Sequence, residues 1–166
     1  MKRTLALATV ILALSASSAT AQPKTRPQDN LYIELLGNGF LYSINYERFL
    51  GARTTLRVGG MFLTGEGTAM NGNRLRAGLV LVPVMLNRLL GRGNHHLEVG
   101  AGPLLIYLTA QLNDWKTSQG FGVRATARIG YVYLRPTGGW NFRIAYTPLI
   151  TDTVSHSAGI AVGYAF

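Results

Sequence analysis

The chain has 166 residues, no cysteine, and 16 lysines and arginines against 7 acids, for a net charge of +9. That length suits a single domain, and the missing cysteines exclude a disulfide scaffold. The basic residues are dispersed rather than run together, so the charge does not point to nucleic acid.

The first 21 residues read as an export signal: Lys2 and Arg3 are the positive start, Leu5 to Leu14 the apolar run, and Ala19-Thr20-Ala21 the small residues for cleavage. An apolar run this short cannot cross a bilayer as a helix, which needs roughly 20 residues. Cleavage would leave Gln22 in front and, without Lys2 and Arg3, fourteen basic residues against seven acids, a net +7. Residues 22–29 carry Pro23 and Pro27 and read as a flexible leader, and residues 30–166 as one barrel domain.

From Asn30 onward apolar residues recur with period two, the mark of a strand whose two faces meet different surroundings. In the first strand Leu31, Ile33 and Leu35 oppose Tyr32 and Glu34, and in the second Tyr42, Ile44 and Tyr46 oppose Ser43, Asn45 and Glu47. The third sets Leu56, Val58 and Phe62 against Arg57 and Gly59. The fourth, around Arg76 to Leu89, is apolar on both faces and contains Pro83, which cannot donate to a ladder, so a bulge is expected there, with a short buried helix as the alternative. The fifth sets Leu97, Val99 and Ala101 against Glu98 and Gly100. The sixth sets Ala125, Ala127, Ile129, Tyr131 and Tyr133 against Arg124, Thr126, Arg128 and Gly130. The seventh opposes Trp140, Phe142, Ile144 and Tyr146 to Asn141, Arg143, Ala145 and Thr147. In the eighth Ala158, Ile160, Val162, Tyr164 and Phe166 alternate with small residues.

Asn38-Gly39 suits a tight hairpin, as do Gly91 to Asn94 and Pro136 to Gly139, whereas Thr64 to Asn73, Thr109 to Gly120 and Leu149 to Val154 are longer connections. Eight strands with short turns at one end and longer loops at the other predict an eight-stranded antiparallel transmembrane up-and-down β-barrel with both termini in the periplasm. The polarity supports lipid outside. A soluble sheet buries its apolar face and shows charge to water, but here the large apolar face is continuous and the other face is rich in glycine, alanine and serine, as a narrow barrel interior requires. Outward aromatics fall near strand ends, Tyr46, Tyr133, Trp140, Tyr164 and Phe166 at the short-turn end and Tyr42, Phe62 and Tyr146 at the other, which predicts two interfacial girdles.

The inward face collects Glu34, Glu47 and Glu98 with Arg57, Arg124, Arg128 and Arg143. Charges in so narrow a lumen must pair or cost several kcal/mol each, so a salt-bridge network is expected, read as a plug that fixes strand register, with a narrow ion or proton channel as the alternative. Arg74, Arg76 and Lys116 border the long loops and are candidates to meet lipopolysaccharide phosphates. His156-Ser157 with Asp152 nearby raises a hydrolase reading, but adjacent strand residues point to opposite faces. His95-His96 lacks the further ligands of a metal site, and neither cofactor nor metal is expected.

The chain resembles the small OmpA- and OmpX-like eight-stranded outer-membrane barrels over nearly all of its mature length. Stretches such as Tyr42 to Arg48 and His96 to Gly102 look like an uncharacterised bacterial barrel family, and Tyr164-Ala165-Phe166 resembles the C-terminal aromatic signature read by the outer-membrane assembly machinery. The resemblance implies a monomeric, non-enzymatic protein of the outer membrane, surrounded by lipid and lipopolysaccharide and inserted by that machinery. The lipid A deacylases are also such barrels, but their His-x-Ser-Asn motif is replaced here by His-Ser-Ala-Gly at residues 156–159.

Overall fold

The structure, a computed structural model, describes residues 27–68, 72–112, 116–150 and 153–166. The expected signal peptide and nearly all of the leader lie outside these residues. The described residues form ten strands: β1 (Asp29–Leu36), β2 (Tyr42–Phe49), β3 (Thr54–Thr68), β4 (Arg74–Arg92), β5 (His95–Leu112), β6 (Lys116–Tyr133), β7 (Gly139–Tyr146), β8 (Leu149–Ile150), β9 (Val154–Ser155) and β10 (Ala158–Ala165). Each of β1 to β7 pairs antiparallel with its neighbour in sequence, β7 pairs β10, and β10 returns to β1, closing an eight-stranded barrel. The two-residue strands β8 and β9 form a small hairpin in the last loop, held to β6 by Thr126↔Leu149 and Ala125↔Ile150.

Burial alternates along each barrel strand. On β10 Gly159, Ala161, Gly163 and Ala165 face inward while Ile160, Val162 and Tyr164 face out, and register carries the outward rows across the seam as Leu31↔Tyr164, Ile33↔Val162 and Leu35↔Ile160. The small inward residues are a packing requirement. A Cβ on Gly159 would lie 2.9 Å from Glu34 Oε1, so the bulk that β1 sends inward must be met by its absence on β10. Most of the large apolar residues are exposed and most of the buried polar ones inside, the reverse of a water-soluble core.

Three local features differ from the sequence reading. Pro83 causes no bulge: Val58↔Val84 and Met61↔Leu81 keep one register on the β3 side, and Pro83↔Leu104 and Leu86↔Ala101 keep one on the other. The ladder loses rungs around the proline and inserts no residue, because long ladders on both sides hold β4 in line. The expected loops at 64–73 and 109–120 are mostly strand. The hairpins β3–β4 and β5–β6 run on to Thr68↔Arg74 and Leu112↔Lys116, making 15 to 19 residues per strand where β1, β2, β7 and β10 have 8. A membrane strand needs about 9–11 residues, so this half of the wall rises above the other as a four-stranded sheet.

The third difference is the first turn. Asn38-Gly39 does not form a two-residue hairpin; Gly37–Gly39 make a 3₁₀ turn that folds into the mouth of the barrel and is buried. Leu36 and Phe40 flank it at φ 62° and 64°, a conformation costing about 1–3 kcal/mol each for such residues. Contacts of the inserted Asn38 offset that cost, as described below.

Candidate functional site: a sealed lumen between two basic rims

Six ionised side chains from six strands form one alternating chain across the lumen: Arg57 (β3), Glu34 (β1), Arg128 (β6), Glu98 (β5), Arg143 (β7) and Glu47 (β2). Arg57 Nη2 lies 2.5 Å from Glu34 Oε2, Arg128 Nε 2.8 Å from Glu98 Oε2, and Arg143 Nη1 2.9 Å from Glu98 Oε1. The Arg128–Glu34 and Arg143–Glu47 pairs complete it, and all six side chains are 0% exposed. Three positive and three negative charges sum to zero, which is the condition under which so dry a cluster is tolerable.

Neutral groups finish both ends. Arg57 donates from Nε and Nη2 to Asn45 Oδ1 at 2.9 and 2.7 Å, and from Nη1 to Asn38 Oδ1 at 3.3 Å. Glu47 accepts from Thr55 Oγ1 at 2.5 Å and Asn30 Nδ2 at 3.1 Å. The Tyr32 ring supports Arg143 and Arg57, whose guanidinium carbons lie 4.4 and 5.4 Å from its centroid. Two apolar layers enclose the network. Leu89, Val132, Leu134 and Ala165 form the layer at the end carrying the termini, and Met61, Leu81 and Leu104 the layer at the loop end. These apolar side chains flank the ion-pair chain on both sides, and at the loop end Asn38 and Thr126 complete the cover.

Of the seven lumen candidates, the structure separates Arg124 from the rest. Its position on β6 has the inward parity of Thr126 and Arg128, but it lies one rung above the last contact with β8, Ala125↔Ile150, where only β5 still pairs with β6. It is exposed, and its Nη1 donates to the carbonyl of Val123 at 3.0 Å. Parity specifies a face; it does not specify height along a strand that outgrows its barrel.

Sequence reasoning missed the neutral partners, Asn38 above all. Asn38 Nδ2 donates to Thr126 Oγ1 at 2.7 Å while its Oδ1 meets Arg57 and Arg128, so the turn supplies a lid to the network. An Asn-Gly pair carries a strong local hairpin signal, and nothing in its neighbours reveals that two arginines from distant strands would compete for the side chain.

At the loop end, Arg74 and Arg76 sit near the tip of β4, exposed, with Arg76 Nε 2.9 Å from Glu66 Oε1. Lys116 begins β6 opposite Leu112, which in turn pairs with Leu75. All three therefore occupy the same end of the tall sheet. His156 and Ser157 part ways: the His156 ring stacks on Tyr146 and its Nδ1 is hydrogen-bonded to the Tyr146 hydroxyl on the outer surface, whereas Ser157 Oγ donates to the Gly37 carbonyl at 3.4 Å. Asp152 lies outside the described residues. A base and nucleophile with separate partners do not make an acyl-transfer pair, so replacing His156 with alanine should leave the acyl chains of lipid A unchanged by mass spectrometry. A loss or gain of an acyl chain tied to His156 would reinstate the hydrolase reading. His95 Nδ1 is engaged by the Tyr131 hydroxyl at 2.7 Å, and among the described residues no three metal-binding side chains cluster.

The aromatic positions form rows. Trp140↔Tyr164, Tyr164↔Leu31 and Leu31↔Tyr46 make one band around the termini end, with Trp140 and Tyr164 edge to face at 5.8 Å. Phe166 is 62% exposed beside this band, and its backbone is tied to Gln28 and Asp29 by bonds of 2.8–3.0 Å at the closing seam.

Neither a family model nor a curated sequence matches the chain. Among solved structures, it is similar to the N-terminal β-barrel domain of Pseudomonas aeruginosa OprF, with a TM-score of 0.54 and 17% identity over 85% of this chain and 100% of that one. It is also similar to Ail, the attachment invasion locus protein of Yersinia pestis, in complex with the heparin analogue sucrose octasulfate: TM-score 0.53, 9% identity, 83% of this chain and 95% of that one. Both are outer-membrane β-barrels, and the likeness at these identities is one of fold: the chain is a small closed eight-stranded antiparallel barrel, as theirs are.

Proposed function

We propose that this chain is an integral outer-membrane barrel that works by placement rather than turnover, contributing to envelope integrity and presenting its loop end to lipopolysaccharide. The observation that carries the reading is the neutral six-residue ion-pair chain, closed above and below by apolar side chains, inside a wall whose outer face is apolar. In this reading such an interior neither conducts nor offers a reactive group, and the work of the protein is done at its surfaces. In this reading the first 21 residues are removed on export, the termini lie in the periplasm, and Tyr164 and Phe166 present the aromatic face that the assembly machinery reads. Arg74, Arg76 and Lys116 then lie outside, where guanidinium and ammonium groups make charge-assisted bonds to lipid A phosphates.

Two measurements test it. Cells carrying Arg74→Gln, Arg76→Gln and Lys116→Gln together should become more sensitive to bile-salt detergents and to large hydrophobic antibiotics, with the same amount of folded barrel in the membrane; unchanged sensitivity removes the lipopolysaccharide role. In planar bilayers the purified protein should pass no steady current, and a stable conductance would overturn the sealed lumen.

A further inference from the structure

With the lumen neutral, the excess charge of the barrel resides on its rims, and the rim at the termini end is as basic as the loop end. Arg48, Arg53, Arg88, Arg92 and Arg135 all lie there and all are exposed. Among the described residues the one acidic side chain at this end outside the lumen is that of Asp29, which accepts from Tyr46 and lies 3.8 Å from Arg48. Arg53, Arg88 and Arg92 have no side-chain partner among the described residues, and Arg135 has only the neutral Tyr133 hydroxyl at 3.4 Å. Four guanidinium groups thus have no acidic side-chain partner among the described residues.

They are also gathered on one side. Thr54↔Arg88 sets Arg53 beside Arg88, and Arg92↔His95 and His95↔Tyr133 carry the arc on to β6 and Arg135. No arginine of this set belongs to β1, β7 or β10, where the rim is made by Trp140, Tyr164 and Phe166. On the outer face Leu90 lies between Arg92 and Arg88 with Leu97 opposite it, and the paired Leu56 and Leu86 follow Arg88 toward the membrane; each of the four is between 38% and 54% exposed. Cations at a headgroup level with bare aliphatic surface adjoining them form the two halves of a phospholipid contact.

Resting on the membrane orientation proposed above, we propose that this arginine arc binds the phosphates of anionic phospholipid in the periplasmic leaflet, with acyl chains lying along the adjoining leucines. An outer-leaflet lipid cannot reach it, since the arc is at the end opposite the long hairpins. Each basic group near a charged lipid surface is worth about 1 kcal/mol, so even one productive contact gives about a five-fold preference over a zwitterionic lipid.

The test uses the full barrel folded into phosphatidylcholine vesicles carrying trace spin-labelled phosphatidylglycerol or phosphatidylcholine, with the motionally restricted fraction read by electron paramagnetic resonance. About five-fold selectivity for phosphatidylglycerol is expected at low salt. It should fall close to parity in Arg53→Gln/Arg88→Gln/Arg92→Gln and persist in Arg74→Gln/Arg76→Gln. A wild-type barrel that folds into the vesicles without selectivity, or a triple variant that keeps it, overturns the arc while leaving the barrel reading intact. Loss of selectivity to inorganic phosphate but not to chloride of equal ionic strength would assign the site to free phosphate and overturn the lipid. A chain that does not fold into vesicles at all overturns both readings.

Discussion

Replacing Arg128 with methionine should destabilise the barrel by about 3–5 kcal/mol, the cost of leaving a buried charge uncompensated. Arg128 is the central cation of the chain, bridging Glu34 and Glu98. Without it three carboxylates share two arginines in a space that water does not enter. The alternation makes a sharper prediction than the single variant does. Removing Glu98 as well, as Arg128→Met with Glu98→Gln, excises an adjacent pair and leaves two complete ones, Arg57–Glu34 and Arg143–Glu47. The double variant should therefore recover most of the loss, with a coupling of about 2 kcal/mol or more, whereas independent sites would add within about 0.5 kcal/mol. Urea midpoints in vesicles, read from the compact band on unheated gels, measure Arg128→Met, Glu98→Gln and the double variant. Arg124→Met is the internal control, because an exposed side chain bonded to its own backbone neighbour should change stability by no more than about 0.5 kcal/mol. Additive losses at Arg128 and Glu98 would mean that the ladder is not a unit.

The network also shows what a linear sequence can and cannot convey about such a barrel. Face is a local property: the alternation around Glu34, Glu47, Arg57, Glu98, Arg128 and Arg143 places each of them inward, and closure of the ring brings all six together. Height is not local. Arg124 shares their parity and stands clear of the lumen, because whether a residue is inside depends on how far the strands on either side continue, here the short β7 and β8. The same limit hid the extent of the tall sheet. Period-two hydrophobicity reports a contrast between two faces, and around Gly65 to Thr68 both faces are exposed, so the pattern fades while the ladder goes on to Thr68↔Arg74. Asn38 fails for the opposite reason. Its local signal is strong and is overridden by hydrogen bonds to Thr126 and Arg57, partners 88 and 19 residues away.

The largest effect expected on the outer face comes from placing a charge at mid-wall. Ile33 is 53% exposed and lies on β1 in a row with Ile44 on one side and Val162 on the other, two residues from the aromatic band through Leu31 and two from Leu35 toward the loops. If that row meets hydrocarbon, Ile33→Arg should cost about 2–4 kcal/mol in vesicles, and the cost should fall toward about 0–1 kcal/mol as the arginine is moved to either interface. Leu31→Arg, level with Tyr46 and Tyr164, should accordingly be the milder change, because its guanidinium can reach headgroups. The neighbouring inward position distinguishes lipid from mere crowding. Tyr32, buried between Arg143 and Arg57, is separated from the outer surface by one residue of strand, yet a substitution there should act through packing and charge in the lumen and be insensitive to bilayer thickness. Unfolding midpoints of Ile33→Arg and Leu31→Arg in bilayers of two thicknesses therefore give a depth profile of the wall. Equal and small costs at both positions would mean that the apolar rows face something other than a membrane interior.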